Sequence, residues 1–126
     1  MILRTELFDH YRVFDVVNNG EHYYVYGLPY YDEVQSGRLS YPDGYDFYII
    51  SGDAYAKLMV AKQAKFVALQ RMVYEMTDSM LSGDDRYVYI GNSKDFLGSE
   101  LSCVMQAFVK YLAQNDALKK CCATVS

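Results

Sequence analysis

A chain of 126 residues with 52% hydrophobic and 22% charged residues can bury one core without metal or disulfide staples, and its composition excludes a disordered or fibrous protein. The net charge of −4 is uneven: the first 52 residues carry eight acids against three bases, and the remainder carries nine bases against eight acids. An acidic N-terminal half argues against nucleic acid as a partner, because phosphate-backbone binding is driven by clustered Lys and Arg.

In chain order, residues 1–9 suit a short helix or a strand equally, since Leu3, Leu7 and Phe8 fit either period. Residues 11–17 are mostly β-branched or aromatic, Asn18-Asn19-Gly20 supplies the positive φ angles of a tight hairpin turn, and residues 22–28 return as a strand. Pro29 is expected to end that strand because it has no N–H for the ladder. Residues 30–38 read as a loop, and a second hairpin is expected from residues 39–41 and 45–50 around Pro42-Asp43-Gly44.

Residues 53–82 predict one long helix, with Ser51 or Asp53 as N-cap. Tyr55, Met59, Lys62, Phe66, Leu69, Val73, Met76 and Met80 recur at gaps of four and three, the period of a buried helical stripe, with Lys62 the one charge inside it. Residues 58–69 are apolar on nearly all sides, which predicts contact with a second subunit as well as the sheet. Ser82-Gly83 stops the helix. Residues 86–90 predict a short strand that pairs either parallel or antiparallel, or with another subunit. Gly91-Asn92-Ser93 is a turn, and residues 94–118 predict a second helix with Leu97, Leu101, Val104, Phe108 and Tyr111/Leu112 as its inner stripe. The fold class is α+β in one domain, 1–126: an N-terminal antiparallel sheet of two hairpins plus one short later strand, covered on one face by two long helices.

Four groups of residues stand out chemically. Nine of the fourteen tyrosines precede Gly52, and neighbours on a strand point to opposite faces, so the doublets Tyr23-Tyr24 and Tyr30-Tyr31 should present some ring outward; with Arg38 and Tyr41 these are the first ligand-binding candidates. Cross-strand pavement of the sheet is the ordinary role of the same rings. Asn92, Ser93 and Lys94 would place free N–H groups and a positive charge at a helix start, where an anion is favoured, though a plain N-cap uses the same residues. Lys62 would either snorkel from its stripe or grip an anionic ligand. His10 and His22 are the only imidazoles, and either would serve a small enzyme as general base.

No HExxH, GxSxG, CxxC or Walker spacing occurs, and three cysteines, two of them adjacent, offer no metal set, so neither a metal nor a cofactor is expected. Without an N-terminal apolar segment, a spanning stretch or pairable cysteines, a cytoplasmic setting is expected, the host cytoplasm for a viral chain, and no membrane partner. The expected function is a small non-enzymatic binding or regulatory protein, homo-oligomeric through its long helices. In general character it is similar to phage or mobile-element inhibitors that bind a host protein or sequester a nucleotide-like signal. The alternative is an enzyme built on His10 or His22.

Overall fold

The computed structural model describes residues 2–31 and 42–125, and the side chains of the last helix as far as residue 115. Five strands form one sheet in sequential order, each antiparallel to the next: β1 (Ile2–Glu6), β2 (Arg12–Asn18), β3 (Glu21–Tyr30), β4 (Gly44–Ile50) and β5 (Val88–Asn92). Three helices follow the N-terminal strands in the order α1 (Gly52–Ala64), α2 (Phe66–Leu81) and, after β5, α3 (Glu100–Val125). The class is α+β.

Local chemistry explains much of the sheet. Asn19 and Gly20 both take positive φ (53° and 79°), the geometry a two-residue hairpin loop needs between strands of right-handed twist. The N-terminal ambiguity resolves as a strand: Ile2–Glu6 pairs with β2 across a turn in which Asp9 and His10 also have positive φ. Pro29 does not end β3, which continues to Tyr30. The Tyr30 carbonyl accepts from Asp43 N–H at 2.8 Å toward β4, so Pro29 directs its backbone to the other side, where β2 has already ended at the Arg12↔Gly27 pair. No ladder bond is lost there.

The anticipated second hairpin falls partly outside the described residues. β4 has β3 on one side and β5 on the other, and residues 39–41, its anticipated partner, lie outside the described residues, as do residues 32–38 of the anticipated loop. Of the orientations open to the late strand, the antiparallel one is realised, from Asp46↔Asn92 to Ile49↔Val88 with a bulge between Phe47 and Tyr48.

The expected single helix over 53–82 is two helices. Lys65 is extended (φ −141°, ψ 140°) and separates α1 from α2, which doubles back so that Asp53 and Ala54 face Met76 and Ser79 across a shared hollow. No Pro or Gly causes the break. A straight helix of thirty residues would run about 45 Å, whereas strands of seven residues span only about 24 Å; the distal half would overhang the sheet with its apolar stripe in water. Folding back instead buries Leu58 and Leu69, Val73, Met76 and Met80 against the same sheet face, beside Val13, Tyr26, Leu28 and Ile50. The return also delivers the chain to the end of β4 it had left, which makes β5 antiparallel.

The second helix also starts later. β5 runs on through Gly91 and Asn92, Ser93–Asp95 is a single 3₁₀ turn, and α3 is capped by Ser99, whose hydroxyl accepts from Ser102 N–H at 3.3 Å. Among its described side chains, Cys103, Val104, Ala107 and Phe108 are buried, packed with Phe14, Val16, Val25 and Phe47 on the opposite sheet face from α1 and α2. Helices therefore cover both faces. Leu97 (85% exposed) and Leu101 are left outside the stripe they were expected to begin.

Candidate functional site

Two-sided coverage settles the tyrosine doublets. Tyr23 turns to α3, its ring 4.9 Å from Phe108, and Tyr24 turns to α1, stacked on Tyr55 at 4.0 Å; both are half-buried, so neither is presented as a free binding ring. Glu21 accepts the Tyr23 hydroxyl at 2.9 Å and holds its pKa above the ordinary value. Tyr30 and Tyr31 are exposed, as the sequence suggested, at the far end of β3. Arg38 and Tyr41 lie outside the described residues.

Asn92, Ser93 and Lys94 do not open a helix of useful length, and their polar groups are already engaged. The Asn92 amide donates to Asp46 at 2.8 Å and its oxygen accepts from Lys94 N–H, while Ser93 Oγ accepts the Tyr45 N–H at 2.8 Å. Lys94 Nζ lies 4.9 Å from the centroid of Tyr30, a cation–π contact. The structure thus brings Lys94 to Tyr30, but Lys62 is elsewhere, exposed in the last turn of α1, where a cation suits the helix dipole and no burial problem arises.

The histidines occupy different turns. His10 sits in the β1–β2 turn; His22 follows the β2–β3 turn at the other end of β2, its Nδ1 2.8 Å from Asp15 and its ring stacked near Tyr24. Tyr55 is also raised in pKa, mainly by burial and then by the Asp15 charge. Among the described residues, no three His, Cys, Asp or Glu side chains gather as a metal site. Cys103, on the inner face of α3, is buried against the sheet, which pushes its thiol pKa up and leaves it a poor nucleophile.

Sequence spacing gave no hint of a clasp between the sheet and α3. Arg12 on β2 contacts Glu100 in the first turn of α3, donates to Tyr45 Oη at 2.7 Å and lies 5.1 Å from that ring's centroid; Glu6 and Arg4 flank the pair at 3.5 and 3.6 Å. Arg12 Nε and Glu100 Oε1 are buried without a partner among the described residues. Glu100 of the pair closes one wall of a hollow of about 340 Å³ bordered also by Asp43, Tyr45, Lys94 and Cys103. Two bases meet two acids, so the clasp is balanced and joins elements 88 residues apart.

A cluster of exposed apolar residues lies at the corner where α1 meets α2. Val60, Phe66 and Val67 are 68%, 59% and 63% exposed within eight residues of one another, and Ala64 between them and Ala68 just after them are exposed as well. Phe66 meets Phe8 of the β1–β2 turn edge-on at 5.3 Å, and Tyr74 meets the same ring at 5.9 Å, so the apolar surface continues onto an aromatic platform. A shallow hollow of about 400 Å³ beside it is lined almost wholly by Ala56, Val60, Ala61, Ala64 and Ala68.

No protein-family model, no curated protein and no solved structure matches the chain. The corner's residues were legible in sequence as an all-round apolar segment, but its position at a turn was not, because the break at Lys65 has no sequence marker. Among the described residues, no helix is long and apolar enough to cross a membrane.

Proposed function

We propose that the chain is a small non-enzymatic binding protein whose contact surface for an unlike partner is the α1–α2 corner. The observation carrying this reading is the exposure of Val60, Phe66 and Val67 around one helix junction; apolar patches of this kind mark interaction sites on soluble domains. Inhibitor or sequestering action against a host protein, in the manner of a phage regulator, is one use of such a surface. A nucleotide sponge has less support, since Lys94 borders the hollow by Glu100, Lys62 is not among its walls, and Asn92 and Ser93 are already hydrogen-bonded. Self-association through the helices fits α3 better than the corner: Leu101 and Val109 are exposed on it and Leu97 just before it, with fewer bases among them than at the corner, so they can meet their own copy with less like-charge repulsion.

An enzymatic reading has one observation in its favour, the His22–Asp15 pair at 2.8 Å, which would orient a general base. One set of variants separates these readings. Phe66→Ser with Val67→Ser should abolish the cellular effect of the chain yet leave its size by light scattering unchanged. Leu101→Glu with Val109→Glu should yield monomers, and His10→Ala with His22→Ala should change neither property. Loss of the effect in the histidine variant alone would install the enzyme reading; a wild-type chain that is strictly monomeric at micromolar concentration would remove self-association.

A further inference from the structure

The corner is not only apolar. Between Asp53 and Glu75 the sequence holds Lys57, Lys62, Lys65 and Arg71 and no acid, and all four bases are exposed. The whole chain has twelve bases and sixteen acids, so everything outside this segment has eight bases against sixteen acids. The charge is therefore uneven along the chain, and the base-rich segment contains the apolar corner, with Lys62 and Lys65 in it and Lys57 sharing a hollow with Asp53 and Glu75. Resting on the reading of the corner as the contact surface, we propose that the occupant it is built for is an anionic lipid surface, onto which the chain docks peripherally with Phe66 and Val67 foremost.

Three features favour a lipid surface over a folded acidic protein. The corner lies at the one-residue reversal at Lys65, with Phe66 and Val67 exposed and only a shallow hollow beside them, so its apolar side chains can enter a bilayer interface without a matching groove. Three of its four bases are lysines, compact charges suited to a diffuse layer of headgroups, whereas planar arginine forks suit defined carboxylate pairs. Specific hydrogen-bonding groups are sparse there: among residues 60–68 the polar side chains are Lys62, Gln63 and Lys65. Phe8 meets Phe66 and Tyr74 meets Phe8 in turn, which extends the amphipathic rim, the usual place of aromatic rings at an interface. Asp9 follows Phe8 in the adjoining turn and is the acid that limits the positive field on that side. The same charge distribution orients the molecule, since its acidic remainder is repelled by the surface that attracts the corner.

The test uses the full chain and sedimentation with vesicles of equal parts phosphatidylcholine and phosphatidylserine, against vesicles of phosphatidylcholine alone. The expected result is pelleting with the anionic vesicles, weakened about tenfold or more by their neutral counterparts and progressively by added salt. Phe66→Ser with Val67→Ser, and separately Lys62→Gln with Lys65→Gln, should each reduce pelleting several-fold with little change in melting temperature, because all four side chains are exposed. No pelleting with either vesicle, or equal pelleting with both, overturns the lipid assignment. If soluble polyglutamate binds in that case and the corner variants abolish that binding, an acidic macromolecule is the occupant and the corner reading survives. Pelleting that is identical in the wild type and the Phe66/Val67 variant overturns both.

Discussion

Replacing Gly91 by alanine should lower the unfolding free energy by about 2–4 kcal/mol, as measured by denaturant titration. Gly91 sits in β5 opposite Phe47 with φ at 145°, a region that side-chain-bearing residues rarely adopt. A Cβ there would lie 3.1 and 3.3 Å from two carbons of the Phe96 ring, and that ring packs on the core beneath α3. Two costs combine: holding an unfavourable backbone conformation, and moving an aromatic ring within a packed joint. Gly52→Ala provides the contrast. Its Cβ would meet only Tyr24 at an ordinary 3.7 Å, and it opens α1, where alanine is the better helix former, so its stability should stay level or rise slightly. A Gly91→Ala protein as stable as the wild type would mean that the β5–α3 joint is packed differently.

The second large effect is expected at the clasp. Glu100→Ala should cost about 2–3 kcal/mol, somewhat less than breaking a fully buried ion pair because both partners keep some contact with water. The loss arises chiefly from Arg12: its side chain is 15% exposed and its Nε already lacks a partner among the described residues, so removing the carboxylate leaves a guanidinium held only by the Tyr45 hydroxyl and the more distant, exposed Glu6 carboxylate. Glu100→Gln, which retains an acceptor oxygen, should recover part of the deficit. Joint replacement by Arg12→Met and Glu100→Leu should be more stable than Glu100→Ala alone, since an apolar pair leaves no charge stranded. A single Glu100→Ala change without measurable cost would show that the clasp is ornamental to stability and leave its role to the adjoining hollow.

How far the sequence carries the fold depends on whether the deciding interaction is local. The Asn19-Gly20 turn is written in residues that tolerate positive φ, and the alternation along β2 and β4 places Phe14, Val16, Tyr45 and Phe47 on one face and Val13 and Ile50 on the other. The stripe of Leu69, Val73, Met76 and Met80 likewise obeys a helical period. By contrast, the reversal at Lys65 follows from the mismatch between helix length and sheet width, a quantity no single residue carries. Pro29 stays in β3 only because β2 ends first. Two similar small-polar turns compete for the cap of α3, and Ser99 rather than Ser93 provides it because β5 extends through Asn92.

The candidate sites follow the same division. Tyr30 and Tyr31 are exposed as their doublet suggested, whereas Tyr23 and Tyr24 are both covered because a second helical layer lies on the other face of the sheet. Arg12 and Glu100, 88 residues apart, meet only through the topology. The corner is the intermediate case: its apolar character is local, and its exposure is a consequence of the reversal.

That reversal supports the antiparallel β5, the hollow between α1 and α2, and the corner itself, and one distance measures it. Nitroxides placed by Asp53→Cys and Ser79→Cys, in a chain with Cys103→Ala, Cys121→Ser and Cys122→Ser, can be separated by pulsed electron paramagnetic resonance. Both positions line the hollow between the two helices. Packed antiparallel helices predict a separation under about 25 Å, from interaxial distances of about 8–10 Å plus the label arms. A value near 39 Å, the length of about 26 residues of unbroken helix, would contradict the account and dissolve the corner on which the proposed function rests.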